Sequence, residues 1–203
     1  MSEHYFTAKP ASADERREIE VSLAGRTLVV ETAPGIFSPG HVDLGTQVLL
    51  RTVPKPSGSL LDLGCGWGPI AIAAALTSPT ARVTAVDVNE RSLDLLRGNA
   101  KRAGVADRVR AALPDEVADS ERFDVIWSNP PIRIGKDALH ELLAHWLPRL
   151  TPGGEAWLVV QRNLGADSLA AWLGTQGWGT VEKVASAKGF RVLRVTAGEV
   201  AAN

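Results

Sequence analysis

Cysteine is almost absent from this chain: Cys65 stands alone among 203 residues. A single thiol excludes an intramolecular disulfide and fits a reducing compartment. Long apolar runs are absent too. The longest, Ile70 to Leu76, falls far short of the roughly 18 residues a membrane span needs. The first residues, Met1-Ser2-Glu3-His4-Tyr5, carry no basic segment leading into an apolar one, so no secretory signal is expected. Neither sign of charge dominates, with 22 Lys+Arg against 23 Asp+Glu and a formal net charge of −1. That balance excludes wholesale coating of a polyanion, and any nucleic-acid contact must use a local basic patch. Metal-ligand spacing is also missing. His140 and His145 sit one position too far apart for a His-Glu-x-x-His pair on one helix face. What is present, 45% hydrophobic and 22% charged residues, describes an ordinary globular protein with a core to bury. The expectation is a cytoplasmic protein with no metal and no membrane contact, whose oligomeric state the sequence does not reveal.

Residues 1–15 are polar and expected to be loose. Glu18–Leu23 and Thr27–Thr32 read as a β-hairpin turning at Ala24-Gly25-Arg26. A loop punctuated by Pro34, Gly35, Pro39 and Gly40 leads to a short helix near Leu44–Val53. Elements then alternate: strand Ser59–Leu63, helix Pro69–Leu76, strand Arg82–Asp87, helix Glu90–Ala103, strand Arg108–Ala112, strand Phe123–Ser128 and helix Asp137–Leu150. Pro152-Gly153-Gly154 opens strand Glu155–Gln161, helix Ala166–Thr175 follows, and Thr180–Ser186 with Phe190–Thr196 closes the chain as a hairpin. Repeated βα units ending in a hairpin predict a Rossmann-like α/β fold, a mostly parallel sheet with helices on both faces. Two regions are expected, a 1–43 extension with a β-hairpin and a capping loop, and a 44–203 domain.

Asp62-Leu63-Gly64-Cys65-Gly66-Trp67-Gly68-Pro69 feeds a strand through a glycine turn into a helix. Glycines let backbone approach a ligand and take positive φ, and Pro69 suits a first helical position. A dinucleotide site would want Gly-x-Gly-x-x-Gly or Ala, and Pro69 fills that last place poorly. Asp62 would repel a pyrophosphate yet attract an ammonium group. Asp87, at the end of the next strand, has the carboxylate to hold two ribose hydroxyls. Together these favour S-adenosylmethionine over a nicotinamide dinucleotide. Cys65, with no basic neighbour in sequence, reads as a packing residue.

The most informative stretch is Trp127-Ser128-Asn129-Pro130-Pro131-Ile132-Arg133-Ile134-Gly135-Lys136, at the carboxyl end of a buried strand, where open α/β sheets bind ligands. Two prolines fix two φ angles and bias the preceding residues to extended backbone. The turn can thus present the Asn129 side-chain oxygen and the Pro130 carbonyl as rigid acceptors for the two hydrogens of an amino group. Ile132 offers an apolar surface to a base.

These motifs resemble those of class I S-adenosylmethionine-dependent methyltransferases, and within that class the catalytic domain of small-subunit ribosomal RNA guanine-N2 methyltransferases. Gly35-Ile36-Phe37-Ser38, Asp43-Leu44-Gly45-Thr46, the glycine loop, Asp87-Val88-Asn89, Asn129 to Lys136, Gly165 to Leu169 and Gly189 to Leu193 carry the likeness. It implies a seven-stranded sheet of order 3-2-1-4-5-7-6 with the last strand antiparallel. It implies that Gly64, Gly66 and Gly68 form the cofactor loop, that Asp87 holds the ribose, and that Val88 and Asn89 flank the adenine. Gly45 and Thr46 would lie at the methionine end, Phe37 would help cap the pocket, and Asn129 to Ile132 would hold the target base. An Asp that many relatives place after the third strand is represented only by the shifted Asp115. The second, degenerate domain of well-known bacterial members is not expected in this chain, which leaves the exact RNA open.

Trp67 and Trp127 are candidates for stacking on substrate, whereas Trp146, Trp157, Trp172 and Trp178 read as packing residues. Arg133, Lys136, Lys188 and Arg191 are candidates for phosphate contacts from the rim of the site. The leading expectation is methyl transfer to guanine N2 in ribosomal RNA. The same amine grip would suit adenine N6 or a protein glutamine. A nicotinamide oxidoreductase and a catalytically silent RNA-binding module are the readings from other classes.

Overall fold

A computed structural model describes residues 15–198, so the loose segment expected over 1–15 lies, but for its last residue, outside the described residues. Strands β1 (Arg17–Leu23) and β2 (Arg26–Thr32) pair antiparallel. The tight turn between them puts Ala24 at φ 51° and Gly25 at φ 72°, the two successive left-handed residues of a primed hairpin turn. Then follow α1 (Leu44–Thr52), β3 (Ser59–Leu63), α2 (Pro69–Thr77), β4 (Arg82–Val86), α3 (Glu90–Arg102) and β5 (Val109–Ala112). The second half holds β6 (Phe123–Ser128), α4 (Lys136–Trp146), β7 (Leu150–Gln161), α5 (Ala166–Gly174), β8 (Gly179–Ala187) and β9 (Phe190–Ala197).

Seven of these strands form one sheet in the order β5-β4-β3-β6-β7-β9-β8. Counted from β3, that is the expected 3-2-1-4-5-7-6. Strand β9 runs antiparallel to both its neighbours, and the other pairings are parallel. Because side chains alternate along a strand, Leu60 and Leu61 enter opposite cores. Leu60 packs with α1, α2, α3 and the β1–β2 hairpin; Leu61 packs with α4 and α5. A strand covered on both faces must be apolar almost throughout, which is why β3 reads Ser-Leu-Leu-Asp-Leu. The order reverses between β3 and β6, so a crevice opens beyond their carboxyl ends.

Two expected boundaries move. Helix α4 stops at Trp146 instead of Leu150, and Leu147–Arg149 tightens into a 3-10 turn around Pro148, which has no N–H to continue the helical ladder. Strand β7 starts at Leu150, ahead of the expected Glu155. Phe123 pairs with Leu150 and Val125 with Glu155, so Thr151–Gly154 bulge out between the two pairings. Gly154 is required there, since a Cβ would lie 2.8 Å from the Thr151 carbonyl oxygen and 2.9 Å from that of Asp124.

The hairpin is clamped to α3 by Asn99, which is 0% exposed. Its Oδ1 accepts from the Glu31 N–H at 2.7 Å, and its Nδ2 donates to the Glu31 carbonyl at 2.9 Å and to the Trp67 carbonyl at 3.1 Å. One amide thus serves as strand partner to β2 and as tether of the glycine loop. Arg102 adds ion pairs to Glu18 and Glu31 at the surface. Removing Asn99 strands buried backbone groups on both neighbours, each costing about 1–3 kcal/mol. Asn99→Ala should therefore lower the melting temperature by roughly 5–10 °C at about 2–4 °C per kcal/mol for a chain of this size. A loss under a degree in a calorimetric scan would show that the clamp contributes nothing.

Candidate active site

The crevice is built from loops that the sheet delivers to one edge. After β3, Gly64 and Cys65 both donate their N–H to the Val86 carbonyl, at 2.8 and 3.0 Å, which folds the glycine loop over the end of β4. Gly64, Gly66 and Gly68 take φ of 79°, 53° and 103°. Their surroundings differ. A Cβ on Gly64 or Gly66 would meet nothing within 4 Å, whereas on Gly68 it would lie 2.2 Å from Leu96 Cδ1. The first two glycines leave an open cradle; the third lets α2 pack on α3.

Asp87, at the tip of β4, is oriented by two backbone donors: Oδ2 accepts from Gly66 N–H at 2.8 Å and Oδ1 from Asn89 N–H at 2.9 Å. Each oxygen keeps a lone pair toward the cleft, which Asp87 lines. Burial raises its carboxyl above the usual range, offset in part by those same N–H donors. Asn89 turns inward. Its Oδ1 caps α3 by accepting from the N–H groups of Arg91 and Ser92, and its Nδ2 donates to the Gly35 carbonyl at 2.9 Å, pinning the capping loop.

Asp62 lies beneath the loop and is 0% exposed. Its Oδ2 accepts from Ala71 N–H at 2.9 Å in the first turn of α2, while Oδ1 has no hydrogen-bond partner among the described residues. Burial pushes its carboxyl up to about 8, against the helix N–H and with the nearby Asp87 adding to the rise. Across the β3–β6 pairing it faces Trp127, whose buried Nε1 is also without a partner.

Asn129 follows β6. Its Nδ2 donates to Asp43 Oδ2 at 2.8 Å and to Thr46 Oγ1 at 3.2 Å. A carboxylate only accepts, so this pairing fixes which end of the amide is nitrogen and leaves Oδ1 toward the cleft. Ser128 Oγ anchors the preceding residue on the Leu63 carbonyl at 2.7 Å. Pro131 sits at φ −75°, ψ 73°, the centre of an inverse γ-turn in which Ile132 N–H reaches the Pro130 carbonyl at 2.8 Å. The Pro130 oxygen therefore offers one remaining lone pair, not two.

The cleft encloses about 230 Å³. Among the expected site residues, Phe37, Gly64, Asp87, Val88, Asn129, Pro130, Pro131, Ile132 and Arg133 line it, and Thr46 and Gly66 line a smaller adjoining recess. Asp62, Gly68, Asn89 and Lys136 do not form its walls. Pro114 stands where Asp115 was the candidate, and Trp146, Gln161, Leu164 and Phe190 complete the far wall. Trp67 and Trp127 are no stacking platforms: both are buried in the core, and Trp67 Nε1 donates to the Ser38 carbonyl at 3.3 Å, holding the loop that carries Phe37. Phe37 itself is 40% exposed over the mouth.

Charge is layered around this cleft. Asp43 and Asp87 line it and Asp62 lies under its floor, a setting that favours a cationic ligand. Arg133, on the cleft wall, and Lys136 follow β6, and Lys188 tips the β8–β9 hairpin; all three are exposed and have no ion pair among the described residues. Arg191 is committed to Asp167. Arg162, which the sequence reading passed over, is exposed beside the cleft, its N–H bonded to the Gly189 carbonyl at 2.8 Å, next to Lys188. No group of three or more His, Cys, Asp or Glu among the described residues is placed to hold a metal ion. No described helix is long and apolar enough to cross a membrane.

A Rossmann-like sheet of this order, a glycine cradle facing an acidic strand tip, and an Asn-Pro-Pro corner define a class I methyltransferase. The chain belongs to the methyltransferase small domain family, whose model matches residues 27–194. It is therefore a methyltransferase of the class that uses S-adenosylmethionine. It is 31% identical to the uncharacterized protein YbxB of Bacillus subtilis (strain 168), over 96% of this chain and 98% of that one. It is 37% identical to ribosomal RNA small subunit methyltransferase C of Vibrio vulnificus, over 75% of this chain and 46% of the relative, so it spans about half of that protein's length. The solved 16S rRNA N2 G1207 methyltransferase of T. thermophilus, in complex with AdoMet and guanosine, shares the fold with a TM-score of 0.78. That likeness is at 24% identity and covers 90% of this chain and 50% of that one.

The buried Asp62 has a pH signature. Between the ordinary 3.8 and about 8 the folded chain keeps a proton that the unfolded chain releases. Stability is then full below the lower value and falls as pH rises, by at most about 1.4 kcal/mol per pH unit. Asp62→Asn keeps an acceptor for Ala71 N–H and should flatten the fall in melting temperature expected for the ligand-free chain as pH rises from about 4 to about 8, the window between those two values. Parallel profiles for the two proteins would refute this.

Proposed function

We propose that this enzyme transfers a methyl group to the exocyclic N2 amine of a guanine in small-subunit ribosomal RNA, in the cytoplasm. The observation that carries the reading is the Asn129 amide, held from behind so that its oxygen meets whatever enters the cleft beside the glycine cradle. In this reading residues 1–43 supply the capping extension and residues 44–203 the transfer domain.

S-adenosylmethionine suits the residues present. Gly64 and Gly66 leave backbone-lined space, Asp87 has lone pairs for two ribose hydroxyls, and Val88 lies beside it for the adenine. The Thr46 recess suits the methionine end, and the buried Asp62 acts from beneath the loop, through its bond to the Ala71 N–H at the start of α2. Asn89 and Gly68 act at one remove, by capping α3 and by letting α2 close on α3. When bound, the cofactor supplies an already activated sulfonium methyl, so the protein's task is alignment and electrostatics.

A purine amine is a poor nucleophile because its lone pair is delocalised into the ring. Asn129 Oδ1 and the free lone pair of the Pro130 carbonyl take its two hydrogens and draw the nitrogen toward a tetrahedral shape. The same oxygens stabilise the positive charge that grows on that nitrogen. Pro131 holds the second acceptor rigid through its γ-turn, and Ile132 lies flat against the base. Phe37 covers the mouth and helps exclude water. To enter, the nucleotide leaves its stack, and Arg133, Lys136, Lys188 and Arg162 meet the flanking phosphates. The guanosine held by the T. thermophilus fold relative and the ribosomal RNA named for the Vibrio relative support this acceptor.

The deciding experiment is tritiated methyl transfer to 30S subunits, naked ribosomal RNA and protein fractions, followed by nucleoside mapping. N2-methylguanosine is the expected product; N6-methyladenosine or a labelled glutamine would replace the guanine assignment. Asn129→Ala should bind S-adenosylmethionine normally while kcat drops about 10²–10³-fold, the usual cost of one preorganised polar group. Wild-type turnover by that variant would remove Asn129 from the mechanism. RNA affinity should fall steeply with salt, and Arg133→Ala or Lys188→Ala should each reduce the log–log slope by about 1. An unchanged slope would mean these cations are only solvated charge.

A further inference from the structure

Asp43 touches no reacting atom in the mechanism above, yet a single oxygen of its carboxylate takes three hydrogen bonds. One oxygen, Oδ2, accepts from the N–H of Gly45 at 2.8 Å, the N–H of Thr46 at 3.2 Å and Nδ2 of Asn129 at 2.8 Å. The first two bonds cap α1. Capping alone would be served by a shorter side chain and would not explain a reach across to the end of β6. Gly45 is shaped to permit that reach. A Cβ there would lie 3.0 Å from Asp43 Oδ2 and 2.8 Å from Phe190 Cε1, so no side chain fits between the cleft wall and the carboxylate.

We propose that Asp43 is a positioning residue for the transfer, setting the face that Asn129 turns to the acceptor amine; this rests on the role assigned to Asn129. A primary amide is nearly symmetric in shape but opposite in function at its two ends. Turned over, it would aim Nδ2 hydrogens at the hydrogens of the incoming amine. Asp43 can only accept, and its bond to Nδ2 is charge-assisted, so it favours the single orientation that leaves Oδ1 toward the cleft. Thr46 Oγ1 could accept from Nδ2 or donate to Oδ1 equally well, so it does not discriminate. The bond to a carboxylate also polarises the amide, placing more negative charge on Oδ1 where the amine becomes cationic. Helix α1 thereby sets the chemistry of a residue 86 positions away in sequence.

Two variants separate positioning from capping. Asp43→Ser keeps a good N-cap but is too short to reach Asn129; Asp43→Asn keeps both the cap and an oxygen at the same place. For Asp43→Ser we expect unchanged melting temperature, a loss of S-adenosylmethionine affinity no larger than that of Asp43→Asn, which removes the same lining charge, and a kcat loss on the order of 10–100-fold, as for a slight misplacement of a reacting group. Asp43→Asn should recover most of that loss. Asp43→Ser combined with Asn129→Ala should be no slower than Asn129→Ala alone, because the first residue acts only through the second. Independently of turnover, the Asn129 side-chain amide protons of the full chain should resonate downfield and exchange slowly in NMR spectra, and lose both features in Asp43→Ser. Unchanged Asn129 resonances, multiplicative kcat losses, no recovery by Asp43→Asn, or a loss confined to cofactor binding or melting temperature would each overturn the inference. A wild-type chain that methylates a different amine would overturn the guanine assignment alone, and these ratios would then be measured on that amine.

Discussion

A planar amide that cannot be turned over is the constraint on which this site depends. Asn129 is gripped on its nitrogen side by α1 through Asp43 and Thr46, and on its backbone by two prolines. The grip is possible only because the sheet brings β6 out at its switch point, next to β3, with α1 crossing the same edge. The Ser128 hydroxyl on the Leu63 carbonyl ties those two strands together one residue before the amide. Behind them, the Asn99 clamp joins α3, the hairpin and the glycine loop, and Asn89 and Trp67 tie the capping loop to the same wall.

The nearly neutral chain conceals a sorted charge distribution. Asp43, Asp62 and Asp87 gather around and beneath the cradle, while exposed cations with no ion pair among the described residues stand at the rim, after β6 and β7 and on the last hairpin. A cationic methyl donor and a polyanionic acceptor would each find the complementary sign, at different depths of the same opening. Burial raises the carboxyls of Asp62 and Asp87 above the usual carboxylate range.

The fold was legible because it is written in local signals. Buried strands such as Leu60–Leu63 and Val125–Ser128, glycine and proline punctuation, and the closing hairpin each name their element without help from the rest. The misread boundaries lie where a local rule met a tertiary one: Pro148 ended α4 early, and the Phe123–Leu150 pairing extended β7 past a proline and two glycines. The site was legible where a motif is contiguous, as in the cradle and the Asn-Pro-Pro corner. It was illegible where function comes from partners far apart in sequence. Asp43 carried no role of its own in the sequence, Asn89 read as a neighbour of the adenine and Arg191 as a candidate phosphate contact, because Asn129, Gly35 and Asp167 are brought to them only by folding. Trp67 and Trp127 looked like stacking platforms for the same reason; their neighbours in sequence lie in the site, but both rings are buried, that of Trp67 between the small recess and the capping loop.

The most direct test of the account is a crystal structure of the chain with S-adenosylhomocysteine and guanosine. The account places the guanosine N2 about 3 Å from both Asn129 Oδ1 and the Pro130 carbonyl oxygen, on the side facing the cofactor sulfur. An Asn129 amide presenting its nitrogen to the base, or a nucleoside seated away from this corner while the cradle is filled, would contradict it.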